Sequence, residues 1–302
     1  MRFDPERGVL LAASPGDGPG NWSGAPGAWR EGDDLFVTYR LRRPPPHRGY
    51  EMRVAIMRAG HLETIKRIRK KDLDAESIER SALVHEGDEW RLYVSYVANA
   101  DRRWRIDLLT APSLETLDAR VRVPVLRPDA IGMSAVKDPW LRRLDGMWQM
   151  FVSCGRATAD PRAHLSGDAL STGIVRSETG HATSRDGIVF DWQGIVFSPS
   201  DRGWDRATSR LTTAWRTADG WSAYYDGART IAENYEERCG LAQSRDLRTW
   251  ERVSGEGPAI GTPKGPGGVR YVDVTDAGDV LYEYTRPDGA HELRAIFAGT
   301  ER

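Results

Sequence analysis

The 302-residue sequence predicts an all-β fold, a single five-bladed β-propeller with a pocket at the top of its central channel. Three observations carry that prediction. A short apolar stretch that runs into an acidic-glycine turn and out into an aromatic strand occurs five times. The turns recur at intervals of roughly 55 to 75 residues, which suits one four-stranded blade plus its loops. Turn formers are abundant, with 31 Gly and 17 Pro, while long helical periodicity is nearly absent.

Taken in order, one domain spanning 1–302 divides into blades at roughly 20–75, 76–130, 131–200, 205–260 and 265–302. Ahead of them, Phe3 to Leu11 supplies a candidate strand, so ring closure by residues 1–12 against the last blade is expected. The Gly/Pro-rich segment from Ala12 to Gly27 reads as an ordered lead-in loop. The first hairpin runs Ala25-Pro-Gly-Ala-Trp29, Glu31-Gly-Asp-Asp34, Leu35-Phe-Val-Thr-Tyr39. The dense basic run Lys66 to Lys71 reads as a solvated blade edge that discourages sheet pairing, and Asp72 to Arg80 as a helical turn. The second hairpin turns at Glu86-Gly-Asp-Glu89, the third at Asp145-Gly146, the fourth at Asp219-Gly220 and the fifth at Asp276-Ala-Gly-Asp279. Between the third blade's strands, Gly155 to Gly173 is long for a hairpin and is expected to act as a lid.

Bulk chemistry excludes several function classes. The formal net charge of −1 provides no field toward nucleic acid or membrane, and no stretch is apolar enough to span a bilayer. The two cysteines cannot build a disulfide framework, and Met1 to Arg7 lacks the apolar core of a leader, so a cytoplasmic protein is expected. The six histidines lack metal-ligand spacing and no Gly-rich loop opens a helix, so neither metal nor cofactor is expected. Eleven Trp and ten Tyr against six Phe is an aromatic balance suited to half-wet, sugar-stacking walls as well as to blade contacts.

The blade ends carry a second repeat. Ala182-Thr-Ser-Arg-Asp-Gly-Ile-Val-Phe-Asp-Trp192 and Leu241-Ala-Gln-Ser-Arg-Asp-Leu-Arg-Thr-Trp250 share small-x-Ser-Arg-Asp followed by Trp, and Thr110 to Leu117 is a degenerate copy. With these phrases the chain resembles the five-bladed propeller glycosidases of the arabinanase/xylosidase, invertase and mannoside-phosphorylase types. The resemblance spans nearly the whole chain. It implies a small carbohydrate as the partner.

Propeller geometry then selects residues. The acidic-glycine turns lie at the bottom, so the starts of the inner strands and the loops after the second strands lie at the top. That places Trp22, Glu79, Arg80, Lys137, Asp138, Arg210 and Arg270 at the rim, with Arg40 and Arg42 and the loops 156–171 and 226–237 above it. Glycoside cleavage needs two carboxyl groups in different protonation states. Lys137-Asp138-Pro139 resembles the Arg/Lys-Asp-Pro phrase of the family, which implies that Asp138 stabilises the transition state or tunes the acid. Glu79 occupies the corresponding place one blade earlier. A further carboxylate is expected from Asp226 to Glu237, with Asp226 and Glu237 as candidates. If residues 232–237 enter the third strand, Glu233, Tyr235 and Glu237 share one side, and which side points inward stays open. Trp22, Arg40, Arg80, Arg210, Tyr225, Glu233 and Arg270 complete the expected substrate-binding set, the guanidiniums suiting an anionic substituent or the neutralisation of the acids.

One departure stands out: the family carries an Asp at the start of the first inner strand, and here Ala25 stands before Pro26. The expected activity is cleavage of a glycosidic bond by carboxylate acid/base catalysis. Phosphorolysis, a non-catalytic sugar-binding propeller and a scaffold recruited to lyase or isomerase chemistry remain open alternatives. Wild-type turnover by Asp138→Asn would remove that residue from the mechanism.

Overall fold

The acidic-glycine turns each join the first two strands of an antiparallel group. In a computed structural model that describes residues 2–264 and 266–299, Trp22–Glu31 pairs with Asp34–Arg43, and Met133–Leu144 with Met147–Arg156. Gly32, Gly87, Gly146, Gly220 and Gly278 all take positive φ in these turns. That conformation is open to glycine without a Cβ clash, which explains the glycine in every copy. The ends of the expected first and last segments, Met1 and 300–302, lie outside the described residues.

The regular structure is nearly all β, and among the described residues the sheets hold eight, five, four and four strands. The eight-stranded sheet divides at a single parallel pair, Trp22 with His291, into Trp22–Glu31 through His61–Arg69 and Val269–Val274 through His291–Ile296. Val9–Ala12 pairs antiparallel with His291–Ile296, so the N-terminal segment adds a strand to the last group. Five hydrogen-bonded blades were expected, and that one parallel pair accounts for the merger of two groups into one sheet.

Packing runs between consecutive groups. Met52, Val54 and Ile68 meet Leu83, Leu92 and Val94, and Tyr93 and Val84 meet Leu141, Trp148 and Met150. Trp140 and Phe151 meet Leu211, Tyr225 and Trp250, while Tyr224 and Cys239 meet Val269 and Tyr282. A further cluster joins Leu281, Leu293 and Ala295 back to Val37, Tyr39 and Leu41. Burying each large side chain is worth about 1.5–3 kcal/mol, so these interfaces hold the groups in place.

The blade-end phrase has a local cause. Asp186 Oδ1 accepts from the backbone N–H of Ile188 and Val189 (2.8 and 3.0 Å), and Ser184 Oγ from Gly187 N–H (2.9 Å). Asp246 and Ser244 repeat this on Arg248, Thr249 and Leu247, and the Trp250 indole donates to Leu247 O (3.1 Å). The motif is a turn that satisfies its own backbone.

Two expected boundaries shift. Asp72–Arg80 is not a helical turn: a short 3-10 turn, Lys70–Asp72, is followed by the strand Ala75–Ile78. Asp72 accepts from Arg69 N–H (2.8 Å) and Asp74 takes positive φ, which stops the turn before it can extend. The lead-in loop is shorter than expected, because the strand begins at Trp22. The basic run lies along the outer strand His61–Arg69, at the end of its sheet, and into the 3-10 turn.

Candidate active site

Each innermost strand breaks register near its middle. The shifts fall at Gly24/Gly27, Lys137/Trp140, Leu211/Thr213 and Arg270/Asp273. In the second group the same place is the gap between Ala75–Ile78 and Ala82–Glu86, both paired with Glu89–Ala98. Ala25, Asp138 and Tyr271 share the left-handed conformation there (φ 51°, 57° and 52°). A non-glycine residue in that conformation costs roughly 1–2 kcal/mol, and bulges of this kind re-aim side chains. The shared backbone confirms that Ala25 occupies the position that Asp138 holds two groups later.

The re-aimed side chains and their neighbours form a buried ionic cluster. Arg210 donates through Nη1 to Asp138 Oδ2 (3.0 Å) and the Tyr271 hydroxyl (3.2 Å), through Nε to Asp226 Oδ2 (3.1 Å), and through Nη2 to Asp226 Oδ2 (2.5 Å) and Glu237 Oε1 (3.2 Å). Arg270 bridges Glu237 to Glu283, donating to Glu283 Oε1 from Nε (3.0 Å) and Nη2 (2.7 Å). Arg40 bridges Glu283 to Glu79, with Nε 2.8 Å from Glu79 Oε2 and Nη2 3.1 Å from Glu283 Oε2. Glu283 also accepts from Ala25 N–H (2.8 Å) and meets His291 Nδ1 (2.6 Å). Alternating signs let five carboxylates stay buried together.

Their protonation differs. Burial alone would raise Glu79, but Arg40, Lys137, Arg42 and Arg270 overcome it and bring the carboxyl down to about 2. Burial likewise opposes Glu283, and Arg270, Arg40 and His291 hold it well below the usual range. Asp226 goes the other way, to about 6, because burial and the charge of Glu237 outweigh Arg210. Lys137 is held above its ordinary value against burial by Asp138, Asp168 and Glu79. Asp226 therefore exchanges its proton closer to neutrality than an ordinary Asp carboxyl does.

Trp22, Glu79, Lys137, Arg210, Glu237 and Arg270 line one cleft of about 330 Å³, together with Tyr271 and the loop residues Asp168, Leu170, Asn234 and Tyr235. With its loops closed, the cleft leaves free room for about one water molecule. The Trp22 ring stacks on His291 at 4.6 Å, with the Arg42 and Arg270 guanidiniums 4.6 and 4.8 Å from its centroid. Two loops close over the cleft. Ser171 Oγ accepts from Asn234 Nδ2 (3.2 Å), lies 3.4 Å from the Tyr235 hydroxyl and donates to Asp168 Oδ2 (2.9 Å).

The other expected residues fall elsewhere. Asp138 and Asp226 lie in the cluster behind Arg210, both fully buried. Arg80 is held deeper, donating to Pro26 O (2.8 Å) and Thr212 O (2.6 Å) and paired with Asp273 (3.2 Å). Tyr225 is in the core between the third and fourth groups, its hydroxyl on Asp205 (3.1 Å). Glu233 pairs with Arg238 outside the cleft (2.9 Å). Alternation fails across 232–237 because Ile231–Glu233 is a 3-10 turn and the strand begins at Arg238. Asp168, Tyr271, Glu283 and His291 were not singled out in the sequence. The inner-strand rule that gave Arg270 also reaches Tyr271 beside it. Among the described residues, no His, Cys, Asp and Glu cluster could hold a metal ion, and no helix is long and apolar enough to cross a membrane.

The strand groups thus bring together one cleft lined by carboxylates and arginines. No family model matches the chain, and no curated protein sequence does. Solved structures match over nearly its full length. A β-1,2-mannobiose phosphorylase from Listeria innocua is 12% identical over 99% of this chain and 93% of its own, with a TM-score of 0.64. A thermostable family-43 glycoside hydrolase is 12% identical over 97% and 98%, with a TM-score of 0.66. A protein described as a glycoside hydrolase reaches 15% identity over 100% and 95%, with a TM-score of 0.70. At these identities the likeness establishes the shared fold.

Proposed function

We propose that the chain is a five-bladed propeller enzyme that cleaves a glycosidic bond of a small sugar substrate by carboxylate acid/base catalysis. The observation that carries the reading is that Glu79 and Glu237, from different strand groups, line one cleft. The circuit of packing from each strand group to the next, and from the last to the first, supports the five-bladed count. Glu79, kept ionised by its arginines, activates the attacking water. Glu237 also lines the cleft, sharing Arg210 with Asp226, and it delivers the proton to the leaving oxygen. Asp138 and Asp226 are positioning residues that orient Arg210 and set the charge around Glu237. Substrate enters after the contacts of Ser171 with Asn234 and Tyr235 part. The unpaired, buried Cys154 and Cys239 suit a reducing compartment.

A second reading, phosphorolysis, is favoured by two observations. Ala25 removes a carboxylate from the first inner strand, and Lys137 Nζ borders the cleft with its carboxylate neighbour, Asp138, at 3.5 Å. In that reading inorganic phosphate, held by Lys137 and the arginines, replaces the activated water. A panel of aryl glycosides, furanosides and uronides, with and without phosphate, separates the two. Release without phosphate supports hydrolysis, and release only with phosphate supports phosphorolysis. Wild-type turnover by both Glu79→Gln and Glu237→Gln would overturn the assigned roles.

A further inference from the structure

Beside the cleft, across the same two loops, runs a second and far roomier groove of about 820 Å³, open to solvent. The segments that wall the cleft through Leu170, Ser177 and Asn234 wall the groove through Arg176 and Ile231. Three guanidiniums, Arg176, Arg206 and Arg229, line it against one carboxylate, Asp201. Most arginines of this protein are paired with a carboxylate, including exposed ones such as Arg120 with Asp118 and Arg162 with Asp160. Arg176 and Arg206 instead donate to backbone carbonyls, of Pro199 (2.6 Å) and Arg229 (3.1 Å), and among the described residues none of the three has a carboxylate partner. The bond from Arg206 Nε to Arg229 O draws two of the three chain positions together. Ile231, 41% exposed, adds an apolar patch of the kind that meets the carbon face of a sugar ring.

We infer that this groove binds the charged residues of an acidic oligosaccharide whose scissile bond lies in the cleft. The inference rests on the carbohydrate reading above. Guanidinium forks recognise carboxylates and sulfate or phosphate esters alike, so the shared chemistry is an anionic substituent on a sugar. Arginines without carboxylate partners, at a groove walled by the same segments as the cleft, supply specificity that the cleft, with its own charges already paired, does not.

The test measures binding of three tetrasaccharide probes at low ionic strength: tetragalacturonate, its full methyl ester and a sulfated tetrasaccharide. The expected result is tighter binding of one or both charged probes than of the neutral ester, weakened by salt. Whichever charged probe binds tighter names the substituent. The variant Arg176→Gln/Arg206→Gln/Arg229→Gln should lose about tenfold in affinity or more with an unchanged unfolding midpoint. The control Arg67→Gln/Arg185→Gln/Arg248→Gln removes the same charge outside the groove and should lose little. Equal losses in both triple variants, no loss in either, or no binding of any charged probe would overturn the groove assignment. Groove-dependent binding without turnover of any glycoside would keep the groove and remove the cleavage reading, whereas turnover with groove-independent binding would do the reverse.

Discussion

Replacing Arg210 by Met keeps much of the side-chain volume and removes the cation that three carboxylates share. The cost follows from what each carboxylate keeps. Glu237 retains Arg270, and Asp138 retains the Tyr271 hydroxyl (3.3 Å) and Lys137 (3.5 Å). Asp226 retains the Tyr271 N–H (3.0 Å) but loses its direct cation. One buried charge, not three, is left uncompensated, and stranding one partner of a buried pair costs about 3–5 kcal/mol. The penalty depends on pH. Asp226 in the folded wild type already titrates near 6, against 3.8 for an ordinary Asp, and without Arg210 it moves further up. Above about pH 4 the folded state then holds a proton that the unfolded state has released, so stability falls as pH rises. Urea unfolding followed by Trp fluorescence should show the full loss near pH 8 and a smaller one near pH 5. Arg210→Met/Asp226→Asn should recover about 2 kcal/mol or more of the loss at the higher pH. A loss below about 1 kcal/mol, or the same loss at both pH values, would refute this account of the cluster.

The two perturbed carboxylates give opposite pH signatures. The stability advantage of wild type over Asp226→Asn should shrink as pH rises from about 4 to about 6, and that over Glu79→Gln should shrink as pH falls from 4.5 toward 2. Urea midpoints across those windows check both. Gly24→Ala puts a Cβ 2.0 Å from Glu283 Oε2, so it should destabilise by about 1–3 kcal/mol and displace Glu283 from Ala25 and Arg40, measurable as a lowered melting temperature. Ser171→Ala removes the contacts between the two closing loops. It should speed amide exchange in 157–173 and 229–236 while changing global stability by only about 1 kcal/mol.

The sequence was most informative where one residue type answers one backbone demand. Glycine at the hairpin turns and Ser-x-Asp at the blade ends satisfy local geometry, so they repeated visibly and located the strands. Glu79, Lys137, Arg210 and Arg270 were legible because the repeat fixes the inner-strand stretch ahead of each hairpin turn. The structure nevertheless puts Lys137, Arg210 and Arg270 at or next to the register break within a strand, and Glu79 in a gap between two. Tyr225 misled because an aromatic strand carries residues for both faces, and this one turns toward Phe197 and Trp204. Asp168 was hidden in a long loop whose path depends on tertiary contacts, including the Trp104 indole donating to Asp168 Oδ1 (3.0 Å). Glu283 lies on a second strand, outside the positions assigned to the pocket, and reaches the cluster only because Gly24 leaves space for its carboxylate.

The pairing of Val9 with Ala295 joins residues 286 positions apart. Such a contact is among the most non-local a chain of this length can make, and it gains nothing from local propensity. During synthesis the last strands emerge long after the N-terminal one, so residues 9–12 wait for a partner while the intervening groups assemble. The seam is then the final joint to form. With Val9 and Leu10 half exposed even when paired, it is also a natural first place for the molecule to open under load or heat.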